Sequence, residues 1–310
     1  MITLILSLLF TLLGSIMPVK TYVGINHPVK VNIDAADTLL WLNADNTLRA
    51  KVAVKPGEAD LASLFDNFWL TQVVTYVQPM KEGKAEGSPL VVQPLLTVRR
   101  AHFDRQAVKM VFRPARTVVS GVRIYQEKLA RINTDAGVMT FRLRPDQAPN
   151  TVWNFMSLAE GGFYDDITFH RIVPEFVIQA GDPTGSSMGG PGYQIDFEES
   201  HLRHDFGVLS MARNWDDPDS NGSQFFICLS RRKTQNLDGL FVSFGEMVDG
   251  ADVIRKIASA ELKPGTDSPV TPPVIHNIEM IPAPPREAAP AEPEGSADKE
   301  TADKEKPVER

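Results

Sequence analysis

The sequence has 310 residues, a formal net charge of −7 and a hydrophobic content of 43%. This length predicts two folded units with additional segments, and the acidic balance argues against a nucleic-acid-binding protein. The single cysteine excludes an intramolecular disulfide framework, and the six scattered histidines form no metal-binding motif, so we expect neither structural zinc nor metal catalysis.

Residues 1–19 begin with the uncharged apolar run MITLILSLLFTLLGSIM. Its length lies at the short limit for a membrane-spanning helix and slightly exceeds the apolar region of a usual signal peptide. No basic side chain opens the run, and no A-x-A sequence precedes Lys20. We interpret the segment as an export signal or N-terminal membrane anchor, which predicts a protein of the cell envelope or periplasm, or a secreted one. The alternatives are a buried strand of the first unit and a cytoplasmic protein.

Residues 20–121 alternate short apolar runs with turn sequences such as KPGEAD and EGKAEGSP. Runs rich in β-branched and aromatic residues, with frequent prolines between them, favour short strands, edge strands and loops. We predict a small all-β, sandwich-like domain whose role the sequence does not assign. One short helix is predicted at 59–69, where four large apolar side chains share a face: Leu61, Leu64, Phe65 and Phe68.

Residues 122–282 form the second predicted unit. Two strands joined at the turn TDAG are followed by a helix that begins at Pro149 or Asn150 and ends at Gly161-Gly162. Strands follow at TFHRIV, FVIQA, GVLSMA, SQFFICL and LFVSFG. A second helix at 251–260 and a last strand at VIHNIEMI complete it. Many short antiparallel strands with two helices indicate a closed barrel with a helix on each open end.

Residues 283–310 change in composition to proline, alanine, glutamate and lysine, with no aromatic side chain. Such a segment cannot bury enough apolar surface to offset the entropy of ordering it, so we predict a disordered acidic tail.

The chemistry-bearing side chains centre on Arg171, Phe176 and Gln179. The nearby GSSMG matches the G-x-S-x-G pattern of serine hydrolases, but GGPGY after it cannot form the helix that a nucleophile elbow requires. One cation, one aromatic ring and one amide remain, without a nucleophile. From the residues alone, Arg171 could equally be a surface residue paired with Asp165 or Glu175.

Three separated motifs, FHRIVPEFVIQAGDPTG, NGSQFFI and LDGLFVSFG, make residues 122–281 similar to the cyclophilin-type peptidyl-prolyl isomerases. The resemblance implies a mainly β fold, an eight-stranded antiparallel barrel capped by two helices, in agreement with the strands and helices predicted above. It also implies peptidyl-prolyl cis-trans isomerase activity on proline-containing polypeptide clients, without a metal or organic cofactor. It says nothing about residues 1–120.

By the same resemblance, Arg171 is the catalytic arginine and Gln179 orients it. The substrate-binding residues that it implies are His170, Phe176, Val177, Ala212, Arg213, Gln224, Phe226, Leu237 and Phe241.

Four positions depart from the family pattern. Val177 stands where the family often has methionine, Phe241 where many members have histidine, and Arg213 in place of a common asparagine. Asn236 stands where cyclosporin-sensitive members carry tryptophan, so we expect weak or no cyclosporin binding.

A second function class stays open at this point. The barrel could be a binding module or chaperone that grips proline segments with little turnover, and the preceding β-domain would suit a platform for clients or partners.

Overall fold

The computed structural model describes residues 16–96, 101–112 and 119–290. The described chain is mainly β, as predicted, and its strands form two regions that follow each other in the sequence.

The first region contains a short helix, α1 (Leu61–Leu64), and twelve strands. A three-stranded sheet has the order β1-β3-β6, a larger sheet has the order β2-β12-β9-β7-β4-β5 with β8 beside β7, and β10 and β11 form a separate hairpin. The strands are β1 (Ile16–Pro18), β2 (Tyr22–Gly24), β3 (Lys30–Ile33), β4 (Thr38–Leu42), β5 (Leu48–Ala53), β6 (Gly57–Asp60), β7 (Thr75–Lys81), β8 (Lys84–Ala85), β9 (Leu90–Leu96), β10 (Ala101–Asp104), β11 (Lys109–Phe112) and β12 (Val119–Gln126).

The two sheets of this region share one apolar core. Val31 and Ile33 from the small sheet lie in the same buried cluster as Trp41, Val92 and Ile124 from the large sheet. Side chains alternate between the two faces of a strand, so each sheet contributes one apolar face to this core. The arrangement is the predicted sandwich-like form.

The helix predicted at 59–69 forms as two short turns instead of one helix. Asp60 caps α1 by accepting a hydrogen bond from the main-chain N–H of Ala62 at 3.1 Å. The chain then becomes extended at Phe65, whose ring lies 5.2 Å from that of Trp41, and a 3-10 turn follows at Phe68–Leu70. Packing of Phe65 onto the core therefore interrupts the helical pattern.

The end of the predicted export segment is a strand. Ile16 is fully buried and pairs with Ile33, so β1 is part of the small sheet, as the alternative of a buried strand expects for these residues. The rest of that prediction, residues 1–15, lies outside the described part of the chain. Among the described residues, no helix is both long enough and apolar enough to cross a membrane.

The change from the first region to the second comes at Glu127. Strand β12 pairs along its length with β9 and also with β2, so the predicted boundary at 121–122 falls inside a strand of the first region. The strand continues to Gln126, and Gly121 and Val122 on either side of the predicted boundary are both buried within it.

The second region is a barrel of antiparallel strands in the order β15-β21-β13-β14-β20-β18-β19-β17-β16. The end strands β15 and β16 are separated in sequence by two residues only, so the order closes on itself, and counting them as one interrupted strand gives the predicted eight. The elements are β13 (Lys128–Thr134), β14 (Gly137–Leu143), α2 (Pro149–Glu160), β15 (Ile167–Thr168), β16 (Arg171–Val173), β17 (Val177–Ala180), β18 (Val208–Met211), β19 (Phe225–Cys228), α3 (Arg231–Thr234), β20 (Ser243–Asp249), α4 (Ala251–Ala258) and β21 (Val274–Pro282).

The two long helices of the barrel are α2 and α4, as predicted. Helix α2 begins at Pro149, and the carboxylate of Glu198 accepts hydrogen bonds from the main-chain N–H groups of Asn150 and Thr151. These contacts satisfy donors that a helix start leaves without an intrahelical partner. Helix α4 buries Ile254 and Ile257 against the barrel.

The prediction of disorder is wrong for residues 283–290, the part of the predicted tail that the structure describes. Arg286 is 7% exposed and donates from Nε and Nη2 to the carboxylate of Glu127, at 2.8 and 2.7 Å. Its guanidinium carbon also lies 3.4 Å from the ring centre of Tyr76. The buried ion pair explains the difference, because it fixes the position of a segment whose average composition is that of a disordered chain. Residues 291–310 of the predicted tail lie outside the described part.

The first and last residues of the barrel are neighbours. Lys128 at the start of β13 pairs with Pro282 at the end of β21, and the N–H of Ala283 donates to the carbonyl of Glu127 at 3.0 Å. The chain therefore leaves the barrel beside the point where it enters.

Candidate active site

Three adjacent strands place the central site residues side by side. Arg171 on β16 lies opposite Gln179 on β17, and Gln179 lies opposite Phe226 on β19. Directly opposed residues of antiparallel strands project from the same face. The next residues along two of these strands, Ile178 and Ile227, are buried in the barrel core, so the site lies on the outer face.

The Arg171 guanidinium is held from two sides. Its Nη1 donates to Gln179 Oε1 at 3.3 Å, and its Nε and Nη2 both lie 3.2 Å from Asp267 Oδ2. The side chain is 36% exposed. A guanidinium has five N–H groups, so the two hydrogen bonds from Nε and Nη1 within the described chain leave three of them for another acceptor.

The partner Asp267 was missed by sequence reasoning, which named Asp165 and Glu175 as alternatives. Glu175 instead lies 3.9 Å from Arg232. Asp267 follows Arg171 by 96 residues, in the segment between α4 and β21, and its carbonyl accepts a hydrogen bond from Ile172. No local pattern signals a pair so distant in sequence.

Two amide side chains extend this network. Gln179 Nε2 donates to Gln224 Oε1 at 2.9 Å, and Gln224 Nε2 donates to the carbonyl of Gly189 at 2.8 Å. The glycine-rich loop after β17 is thereby tied to the site, and the amide of Gln179 is oriented toward Arg171.

An apolar cluster of side chains, which we call the apolar pocket because the resemblance predicts that it binds proline, lies beside these polar groups. Val177, Phe226 and Leu237 are its buried members, and Phe176, Ala212 and Phe241 pack against them partly buried. The rings of Phe226 and Phe241 are 5.8 Å apart in an edge-to-face arrangement. The structure thus brings together the predicted pocket residues from four separate parts of the sequence.

A fully buried histidine packs against one of the aromatic rings of the pocket. The His204 ring stacks on Phe226 with centroids 6.1 Å apart. Its Nδ1 lies 2.9 Å from Asp238 Oδ1 and its Nε2 lies 3.0 Å from Ser210 Oγ. Burial lowers the pKa of His204, although Asp238 acts to raise it. A neutral ring then donates from Nδ1 to Asp238 and accepts at Nε2 from Ser210.

The stacking of His204 on Phe226 was not predicted from the sequence. Burial acts to raise the pKa of Asp238, but hydrogen bonds from Arg231 and His204 outweigh it and hold that pKa below its usual range. The sequence RHDFGVLSMA contains His204 and Ser210, yet nothing in it shows that the histidine lies under an aromatic ring.

Arg213 ties down the rim of the pocket. Its Nε and Nη2 donate to the carbonyl of Leu240 at 3.0 and 2.8 Å, and its Nη1 donates to the carbonyls of Asn214 and Trp215. Its guanidinium carbon lies 4.6 Å from the ring centre of Phe241. The side chain that replaces the common asparagine therefore holds the protein's own main chain.

His170 lies next to Arg171 but is buried at 5% exposure. Burial lowers the pKa of this residue, although Asp182 and the main chain of Thr168 act to raise it. Its substrate contact stays a prediction.

A cleft of about 550 Å³ adjoins the polar side of the site. It is bounded by the glycine-rich loop on one side and by the segment after β18 on the other, and its walls include Gln179, Gly189, Ala212, Arg213 and Gln224.

Comparison with known sequences agrees with the motifs. The family model described as "Cyclophilin type peptidyl-prolyl cis-trans isomerase/CLD" matches residues 129–280. The chain is 38% identical over 197 residues to peptidyl-prolyl cis-trans isomerase-like 2 of Cryptococcus neoformans, covering 61% of this chain and 34% of that protein. It thus spans about a third of the length of that relative. A provisionally named peptidyl-prolyl cis-trans isomerase of Staphylococcus aureus is 36% identical over 179 residues, covering 48% of this chain and 89% of that protein.

Among solved structures, a cyclophilin type peptidyl-prolyl cis-trans isomerase of Cryptosporidium parvum is 34% identical to the chain. Its structure has a TM-score of 0.48 and matches 51% of this chain and 99% of that one. The same protein crystallised in the presence of the dipeptide Ala-Pro has a TM-score of 0.46, with 49% and 98% covered.

Proposed function

The chain belongs to the cyclophilin-type peptidyl-prolyl cis-trans isomerase family, and from this membership we propose that its barrel catalyses rotation about peptide bonds that precede proline. The substrates would be proline-containing segments of polypeptides, and the cellular role would be assistance in their folding.

The observation that supports this proposal is the position of Arg171. A guanidinium oriented by Gln179 and Asp267 lies on the same outer face as Phe226, at the edge of a buried apolar pocket. Isomerisation of a prolyl bond needs a pocket for the ring and a donor for the nitrogen, and it needs no nucleophile.

Amide resonance opposes rotation about the C–N bond, and the resulting barrier is ~18–20 kcal/mol. As the C–N bond twists, the prolyl nitrogen becomes pyramidal and its lone pair localises. A fixed N–H donor then binds the twisted state more strongly than the planar one, and this difference lowers the barrier. Arginine suits the task because its guanidinium stays charged and its planar donors are easily oriented.

One charged hydrogen bond contributes about 1.5–3 kcal/mol, or roughly 10–200-fold in rate. The remainder would come from the apolar pocket formed around Phe226. It removes water from the planar amide, whose dipole is larger than that of the twisted form, and it holds the proline ring while the preceding residue turns. Gln179 and Gln224 would bind the substrate main chain with their amide groups.

Two finer properties accompany the proposal. Cyclosporin would bind weakly, because the exposed Asn236 stands where sensitive family members have a tryptophan. Export from the cytoplasm, with or without membrane association, is supported by the apolar run at residues 1–17 alone.

The deciding experiment uses the full chain and the Arg171→Ala variant in a protease-coupled assay with an X-Pro peptide. We expect kcat/KM to fall by about 100-fold or more while circular dichroism stays unchanged. The matched control is Arg131→Ala, because Arg131 is also a strand arginine paired with a carboxylate, 3.4 Å from Glu279. Equal kcat/KM in the wild type and Arg171→Ala would refute the assignment of Arg171.

The rival function, proline binding with little turnover, gives a different result. A wild-type chain that binds the peptide but does not accelerate its isomerisation would support a binding module instead.

A further inference from the structure

A hairpin of the first region reaches the rim of the proposed isomerase site. Strands β10 and β11 come between β9 and β12 in the sequence, and β9 and β12 are themselves paired in the large sheet. The ring of Phe103 lies 5.7 Å from that of Trp215, edge to face. Beside it, Arg105 Nη2 lies 2.9 Å from Asp216 Oδ2. Two consecutive rim residues are therefore each held by the hairpin.

From this contact, a row of aromatic rings leads to the pocket. Trp215 lies 5.9 Å from Phe241, and Phe241 lies 5.8 Å from Phe226. The Arg213 guanidinium lies among these rings, 5.9 Å from the ring centres of both Phe103 and Trp215. Displacement of Phe103 would thus act on groups that contact the pocket wall.

The rim segment, residues 213–220, is held together internally. The N–H of Asn214 donates to Ser220 Oγ at 2.8 Å, and Ser220 Oγ donates to the carbonyl of Asp217 at 2.6 Å. Trp215 is nevertheless 50% exposed. A segment closed on itself by such bonds moves as one unit, so contacts at Trp215 and Asp216 can set the position of the whole segment.

The hairpin is also anchored by an apolar side chain. Met110 lies directly opposite Phe103 and so projects from the same face, and it packs, partly buried, against a large apolar cluster to which both regions contribute. The exposed ion pair of Arg105 is therefore accompanied by apolar contacts.

We infer that Phe103 and Arg105 are positioning residues of the site, holding the rim segment in the place where it binds the polypeptide next to the proline. The inference rests on the proposed function. Neither residue contacts Arg171 or the buried members of the apolar pocket, so their loss should weaken substrate binding and leave the rotation step unchanged.

The test compares full-length wild type with Phe103→Ala, Arg105→Glu and the charge-swapped double variant Arg105→Glu with Asp216→Arg. The control is Lys109→Glu, because Lys109 is also a hairpin cation and is exposed. For a peptide of about ten residues centred on one proline, we expect Phe103→Ala and Arg105→Glu to raise KM about 2- to 10-fold, the effect of one lost contact. Values of kcat should stay within about twofold, and the double variant should regain the wild-type KM.

Hydrogen exchange of the amides at 213–220 provides a readout that does not depend on catalysis. It should become faster in Phe103→Ala and Arg105→Glu and stay unchanged in Lys109→Glu. An active wild type with unchanged KM and unchanged exchange in both variants would overturn the inference and leave the proposed function intact. An inactive wild type would refute the proposed function, and the exchange rates alone would then decide whether the hairpin positions the rim segment.

Discussion

Arg171 and Asp267 form an ion pair in which both Nε and Nη2 lie 3.2 Å from one carboxylate oxygen. The pair is partly exposed, with 36% and 49% of the two side chains accessible, so water screens much of its electrostatic attraction. Its geometric effect is less easily screened, because the hydrogen bond from Nε and the neighbouring Nη2 contact to the same oxygen hold the plane of the guanidinium.

The first prediction concerns this orientation. Asp267→Ala should lower kcat by about 2- to 10-fold with little change in KM, as expected for the loss of one orienting hydrogen bond. Asp267→Asn keeps an acceptor oxygen and should stay close to wild type. Steady-state kinetics on an X-Pro peptide would measure both, with Asp165→Ala as the control. A higher kcat in Asp267→Asn would mean that the charge of Asp267 weakens the donor more than its position helps.

The second prediction concerns cyclosporin. Asn236 is exposed in the 3-10 turn Gln235–Leu237, next to the buried Leu237. Asn236→Trp should place an aromatic ring at the edge of the pocket and tighten cyclosporin binding by about 10-fold, measured by calorimetry. Gln235→Trp adds the same ring at the neighbouring exposed position and should give no gain. If Asn236→Trp also gives none, the rim differs from sensitive family members in more than this side chain.

The third prediction concerns the buried pair of Glu127 and Arg286. Glu127→Ala leaves an unpaired guanidinium in the interior and should lower the free energy of unfolding by about 3–5 kcal/mol. Replacing both residues, Glu127→Leu with Arg286→Met, should restore most of that loss. The exposed pair of Arg131 and Glu279 is the control, and its loss should lower stability by about 0–1 kcal/mol. Urea unfolding would measure these changes, and a double variant as unstable as Glu127→Ala would contradict the expectation.

The fourth prediction concerns pH. Burial lowers the pKa of His204 and of His170 in the folded protein, so below about pH 6.5 the unfolded chain binds more protons than the folded one. The contribution of these two histidines to the free energy of unfolding should therefore be fully present above pH 6.5 and should be lost as the pH decreases from there. Urea unfolding between pH 7.5 and pH 5 would measure this slope. Burial raises the pKa of Glu198, which acts in the opposite direction toward the acid end of this range, so the slope is compared with that of a histidine variant.

The His204→Gln variant should have a flatter slope, whatever its absolute stability. His276→Gln makes the same substitution at an exposed histidine on β21 and serves as the matched control. Identical slopes for His204→Gln and the wild type would show that this histidine does not govern the acid sensitivity.

The fifth prediction concerns the proposed export. Because Ile16 is fully buried and paired with Ile33, a cleaved signal has to end before residue 16 if the small sheet is to stay intact. Mass spectrometry of protein from fractionated cells should then show an envelope or secreted form whose first residue is Ile16 or an earlier one. A purely cytosolic protein of unprocessed mass would contradict export.

The sequence predicted those features that leave a local pattern. The hairpin turn TDAG is found between β13 and β14, with Thr134 opposite Gly137, and helix α2 begins at the predicted Pro149. Arg171, Gln179 and Phe226 were named as site residues from the family motifs, and the strand register brings them side by side.

The features that were missed are pairings between distant side chains. Asp267 reaches Arg171 across 96 residues, and Arg286 reaches Glu127 across 159. Such contacts depend on how the barrel and the sheets meet, which neither periodicity nor composition describes. The rim contact of Phe103 belongs to the same class, since its position is set by packing between regions.

The adjacency of Lys128 and Pro282 has a consequence for protein engineering. The two segments that connect the barrel to the rest of the chain lie side by side, at Glu127 and Ala283. Folded units whose two ends are close together tolerate transplantation between hosts. The barrel could therefore be replaced by another domain whose ends are close together. The junctions would be at Glu127 and Ala283, and no strand of the sandwich would be cut.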